Sequence, residues 1–210
     1  MTTWFIRTGL PLIMLLLADG AAAQNLLNNP DFDQNKGLTG WNTKMAVGTC
    51  PMNTDCGHMY ASDSECCGRS DSGSASSTSA FSQFDELSQC VSSIQPDTAY
   101  DASVWIQVTP VPGPNQAPKP SLGVAWYASA DCTGPNLTST TKSFKASVWK
   151  QFSLSGVMSP AKVGSARFSL FATYQGDRII GGSAVRTDFD NAFFGPSGTV
   201  PVELQSFSVD

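Results

Sequence analysis

The chain has 210 residues, a formal net charge of −5, and only 14% charged side chains. A surface so poor in charge and rich in Ser, Thr, Asn and Gly suits neutral polar ligands better than anions, and no clustered run of Lys and Arg marks a nucleic-acid partner. The six cysteines all lie beyond residue 23, and an even count in such a position points to disulfides formed in an oxidising compartment.

The first residues carry one cation, Arg7, then an apolar stretch over residues 10–17, then Ala21, Ala22 and Ala23 before Gln24. A charged start, a short apolar run and a small-residue cleavage site read as a secretory signal peptide over residues 1–23. The apolar run falls short of the roughly 20 residues that span a bilayer, and no later run is longer. The expectation is a secreted monomer of about 187 residues with no membrane span. It is extracellular, or periplasmic or at the cell surface if the host is bacterial.

Residues 43–71 hold Cys50, Cys56, Cys66, Cys67 and the single histidine, His58, without periodicity. This segment reads as a disulfide-stapled loop insertion whose shape its bridges set. Adjacent Cys66 and Cys67 would strain the peptide unit if joined to each other. If Cys90 pairs with Cys132, the other four pair either as 50–66 with 56–67 or as 50–67 with 56–66, and the sequence does not choose. A zinc knot made from the same residues lacks the C-x-x-C spacing of structural zinc sites. Long ordered loops on rigid sandwiches carry function, so the insertion is either a binding surface or a stapled lid.

Beyond it, short runs rich in Val, Ile, Phe, Trp and Thr alternate in polarity between Gly, Pro, Asn and Asp. Strands are predicted at 100–109, 121–129, 149–157, 166–173 and near 187–194. No window holds a helical period. Five prolines within 110–120 block ladder pairing and make that stretch an exposed connection. The pattern is an all-β antiparallel sandwich.

Alternation then assigns faces. Ala102, Val104, Ile106 and Val108 face the core, leaving Ser103, Trp105 and Gln107 outside. Leu122, Val124 and Trp126 point in, with Tyr127 out beside Gly123 and Ala125, a small-residue floor. Phe168 and Leu170 point in, with Arg167, Ser169 and Phe171 out. Trp41 and Trp149, at strand starts, are assigned to the core. Exposed aromatics with polar neighbours are unusual enough to indicate a ligand. Trp105, Gln107, Tyr127 and Phe171 are therefore the candidate ligand-binding residues, provided they share a sheet. No catalytic residue is assigned: there is no G-x-S-x-G elbow, and Asp63 with Glu65 and Asp85 with Glu86 read as solvated loop acids.

Asn25-Leu-Leu-Asn-Asn-Pro-Asp-Phe-Asp33 followed by Gly40-Trp41 resembles the opening of the galactose-binding-like jelly-roll domains, among them the CenC-type carbohydrate-binding modules. Further matches follow in the family's order: Ser72-Gly-Ser-Ala75, Ser88-Gln-Cys-Val91, Pro96-Asp-Thr-Ala-Tyr100, Ala125-Trp-Tyr127, Asp131-Cys-Thr-Gly134, Trp149 and Asp188-Phe-Asp-Asn-Ala-Phe-Phe194. The resemblance implies a jelly-roll domain over 24–197, a C-terminal tail over 198–210, and a non-catalytic module binding an extracellular or cell-surface glycan. It also implies a structural calcium held by Asp33 and Asp190, hard oxygen ligands of the kind calcium takes. The sequence departs from the family at Asp31, where the pattern has Gly, and at Asp33, where it has Glu. The competing expectation is a secreted adhesion or structural domain with a protein partner, its aromatics scattered and not gathered on one sheet.

Overall fold

The computed structural model describes residues 24–33, 37–45, 57–61, 66, 73–79, 84–108, 119–145, 147–173 and 185–198. The expected signal peptide, most of the cysteine insertion, residues 109–118 and the end of the tail lie outside these residues; Lys119 and Pro120, expected in the exposed proline-rich connection, instead open a strand opposite Thr173 and Ala172, with Pro120 buried at its start. Ten strands run in chain order: β1 (Asn42–Met45), β2 (Gly57–Ala61), β3 (Ser74–Ser79), β4 (Phe84–Ser92), β5 (Ala99–Val108), β6 (Lys119–Tyr127), β7 (Asn136–Ser143), β8 (Lys150–Met158), β9 (Ser165–Thr173) and β10 (Val185–Pro196). They form two five-stranded sheets, sheet A in the order β1-β4-β9-β6-β7 and sheet B in the order β2-β3-β10-β5-β8. Every strand pairing is antiparallel. Among the described residues there is no helix, and none long and apolar enough to cross a membrane. The molecule is the expected jelly-roll β-sandwich.

The five predicted strands are β5, β6, β8, β9 and β10, and their inward residues are those the alternation named. Val104, Ile106, Leu122, Phe168 and Leu170 are fully buried. An aromatic cluster joins the sheets: Tyr100 lies 5.3 Å from Phe194 and 5.5 Å from Trp126, and Phe194 lies 6.1 Å from Phe168. Each such side chain contributes on the order of 2 kcal/mol by leaving water. Trp41 packs here as expected, 4.9 Å from Phe32, and its indole N–H donates to the Asn29 carbonyl. Trp149 does not: it is half-buried before β8 and stands outside the core cluster.

The two ends of the fold meet. Leu26 N–H donates to the Phe194 carbonyl, and Ala192 N–H to the Pro30 carbonyl, so the opening motif lies along β10. Segment 43–71 is not wholly irregular, because it contributes the end of β1 and all of β2, which pairs with β3. Cys90 and Cys132 are joined, with Cα atoms 5.9 Å apart. Cys66 is disulfide-bonded too, to a residue outside those described; Cys50, Cys56 and Cys67 lie outside them, so the pairing of the insertion stays open.

Candidate ligand-binding face

The outer face of sheet A is built from β4, β9 and β6, whose register aligns their outward residues in rows. Glu86, Phe171 and Ser121 form one row, Ser88, Ser169 and Gly123 the next, and Cys90, Arg167 and Ala125 a third. Small residues make the middle of this face and larger ones flank it. Phe171, half-buried, leans across the Gly123 backbone, so that a Cβ built at Gly123 would meet its ring and the Thr141 hydroxyl at 3.0 Å each. The floor named from the sequence is therefore a seat for Phe171.

At the other end, the Arg167 guanidinium lies 5.0 Å from the centre of the Tyr127 ring and donates through Nη2 to the Cys132 carbonyl at 2.8 Å. The Cys90–Cys132 bridge ties the turn after β6 to β4, alongside Arg167 on β9. Ser165 anchors the same turn: its hydroxyl donates to the Ser129 carbonyl and accepts from Cys132 N–H. Tyr127 is only 7% exposed. It is a base on which Arg167 is held, not an open platform.

Glu86 corrects an expectation. Its carboxyl is no solvated loop acid but sits in β4, 8% exposed, and accepts a 2.6 Å hydrogen bond from Ser169 Oγ. Sequence reasoning passed over it because β4 carries no clean alternation: Glu86, Leu87, Ser88 and Gln89 are all buried.

Trp105 and Gln107 lie elsewhere. They project from β5 on the outer face of sheet B, opposite Asp190 and Asp188 of β10, so the four candidate residues do not form one surface. That face is partly covered. Cys66 N–H donates to Asp190 Oδ2, and Asn191 Nδ2 contacts Cys66 Sγ, which places Cys66 against the last strand. Asp188 and Asp190 are 3% and 1% exposed, and Arg186 pairs with Asp188 at 2.7 Å.

Asp190 also accepts from Asn191 N–H at 2.7 Å, so both its oxygens hold backbone donors, while Asp33 is exposed on the opening turn. No group of three or more acidic, Cys or His residues converges among the described residues. Each Asp190 oxygen keeps a second lone pair beside its N–H donor, so the carboxylate could still hold a calcium ion, and Asp33 lies on the opening turn that meets β10.

No protein-family model matches the sequence, and no curated protein matches it. Solved structures do share the fold. The enzymatically active domain of tailspike protein 4 from bacteriophage CBA120 is 13% identical with a TM-score of 0.59; the match covers 82% of this chain and 21% of that one, so this chain spans about a fifth of it. A family 16 carbohydrate-binding module is 16% identical over 81% of this chain and 99% of its own, with a TM-score of 0.55. The TmCBM61 module in complex with β-1,4-galactotriose is 16% identical over 83% and 99%, with a TM-score of 0.52. A Stig cyclase from Fischerella sp. TAU, 15% identical over 84% and 98%, reaches 0.55. At such identities the likeness is one of fold, and the chain has the jelly-roll architecture of the carbohydrate-binding modules.

Proposed function

We propose that this chain is an exported, non-catalytic carbohydrate-binding module whose site is the outer face of sheet A. The observation that carries the reading is Phe171, an aromatic ring seated on Gly123 in the middle of a sheet face. Aromatic faces stack on the C–H faces of sugars, and polar groups beside them take the hydroxyls. Here the neighbours are the hydrogen-bonded Glu86 and Ser169 at one end and Arg167 at the other. Lys44, opposite Glu86, and Lys119, at the start of β6, flank the same face, and the preference for a neutral glycan rests on the low charged fraction of the chain, 14%.

Export rests on the N-terminal pattern and agrees with the Cys90–Cys132 bridge, a bond typical of oxidising compartments. Full-length structural neighbours that are carbohydrate-binding modules add support from fold likeness.

The adhesion reading draws on a specific observation as well: Trp105 stands on the opposite sheet and Tyr127 is covered, so the aromatics are not gathered as a broad platform. Titration of the chain with a β-1,4-galactan and a panel of neutral glycans separates the two. Binding that falls about tenfold with Phe171→Ala, a loss of about 1.4 kcal/mol within the range of an aromatic contact, and is unchanged with Trp105→Ala supports the sheet A site. Absence of binding across the panel would leave the adhesion reading in its place.

A further inference from the structure

Charge is unevenly distributed along the chain: residues 102–176 contain Lys119, Lys142, Lys145, Lys150, Lys162 and Arg167 but a single acid, Asp131. The fold gathers three of these cations at one side of the sandwich, where β7 ends sheet A and β8 ends sheet B. Lys142 and Lys150 pair in register with the inward residues Leu122 and Ile106, so both side chains lie at the open mouth between the sheets. Phe144 and Phe152 close that mouth, stacked 4.2 Å apart, and the two ammonium groups lie over them, Lys142 at 5.7 Å from the Phe144 ring and Lys150 at 5.9 Å from the Phe152 ring. Lys145 is exposed in the connection, beside Val148, 66% exposed, and the half-buried Trp149. None of the three lysines joins an ion pair among the described residues.

Edge-strand lysines have a plain use, since they discourage pairing with another chain, and their stems cover apolar surface. That use needs neither ammonium groups held on rings nor a long stretch of sequence with one acid. Cation–π contacts at exposed sites, worth about 0.5–1 kcal/mol, bias both charges toward the same mouth. Alongside them β7 is exposed at every residue, and Thr138 and Thr140 offer hydroxyls on the same side of the strand as Lys142. Its eight residues present a straight polar track of about 26 Å. Cations beside hydroxyls on one edge complement a chain that alternates carboxylates with hydroxyls.

We propose that the β7–β8 edge is a second binding surface, for an extended carboxylate-bearing polysaccharide. Lys142 projects from β7 on the side opposite Thr141, which borders the Phe171 face, and binding at this edge does not depend on that face taking a glycan.

The test uses the full chain and polygalacturonate. At about 20 mM salt, where screening extends over roughly 20 Å, wild type binds polygalacturonate and releases it as salt rises. Lys142→Gln with Lys150→Gln weakens this roughly tenfold, Lys142→Arg with Lys150→Arg retains it, and neither pair changes the melting temperature or the response to β-1,4-galactan. No binding of polygalacturonate by wild type overturns the proposal, as does equal binding by the glutamine variant. Binding of duplex DNA or phosphatidylglycerol vesicles as tightly as polygalacturonate also overturns it, since the edge would then be an unselective anion surface. Because the probe is a polyuronate, a negative result here leaves the galactan titration to be judged separately.

Discussion

The two outer faces of the sandwich follow the same alternation yet meet different fates. On sheet A, outward Ser88, Ser169, Gly123 and Ala125 are too small to fill the surface between their neighbours, and Phe171 and Arg167 lie over them with partial exposure. On sheet B, outward Asp188 and Asp190 are sealed, with Cys66 N–H hydrogen-bonded to Asp190, and the Ser74 and Ser76 hydroxyls are buried without a partner among the described residues. An outward position in a strand pattern is therefore only a direction. Whether it becomes a surface depends on what packs across it, and here Cys66 sits against Asp190 on one face while Phe171 and Arg167 stay half-buried on the other.

The largest test of this contrast is the staple beside the sheet A face. Replacing Cys90 and Cys132 by Ser opens a loop with a sequence separation of 42, a loss of about 4 kcal/mol on the chain-entropy account. A thermal unfolding scan should show a melting temperature lower by about 10 °C. Glycan affinity should fall as well, because the Cys132 carbonyl that holds Arg167 is no longer fixed. A shift of only a degree or two would mean that the turn is held by Ser165 and Ser129 alone.

Asp190→Ala probes the sealed face. It strips the acceptor from Cys66 N–H and Asn191 N–H in a site 1% exposed, and unsatisfied buried donors cost about 2–3 kcal/mol together. Stability should fall by that amount in urea unfolding while glycan affinity at sheet A stays unchanged. An affinity that drops in step with stability would show the two faces to be coupled and would undo the contrast.

How much of this was legible in the sequence follows from where the physical signal lies. Strand β5 alternates buried and half-buried residues, while β6 and β9, buried over much of both faces, alternate large apolar residues with small ones, so alternation revealed them and gave their inward residues correctly. β7 gave no signal: Leu-Thr-Ser-Thr-Thr-Lys-Ser is almost uniformly polar, and all eight residues of the strand are exposed because it ends its sheet. β4 failed for the opposite reason, burial on both faces, which hid Glu86. Face assignment was correct for Trp105, Tyr127 and Phe171 one at a time. Their grouping was not, because which strands share a sheet is set by long-range pairing that no local pattern encodes.

Gly123→Ala is a finer test of the sheet A face. The added methyl would meet the Phe171 ring and Thr141 Oγ1 at 3.0 Å, so the ring must move while the strand keeps its pairing. Affinity for the glycan should fall roughly threefold to tenfold, about 1 kcal/mol, with a much smaller change in melting temperature. An unchanged affinity would mean that the position of Phe171 over Gly123 has no part in binding.

The smallest effect belongs to Asp131, in the turn that presents Cys132. Its carboxylate accepts from Thr133 Oγ1 at 2.7 Å and from Thr133 N–H at 3.2 Å. The side-chain hydrogen bonds of Thr133 and then Ser129 hold its pKa below the ordinary 3.8. A depressed carboxylate pKa stabilises the folded state above the unfolded value, and the contribution disappears as pH falls through the folded one. The turn, and with it the carbonyl that orients Arg167, should therefore be constant from neutral pH down to about 4 and loosen only below that. Following the Thr133 amide resonance through an acid titration should give a midpoint under 3.8, and Asp131→Asn should abolish the transition. A midpoint at or above that value would show that these hydrogen bonds do not persist in solution, and the link from the turn to Arg167 would have to rest on the disulfide and Ser165.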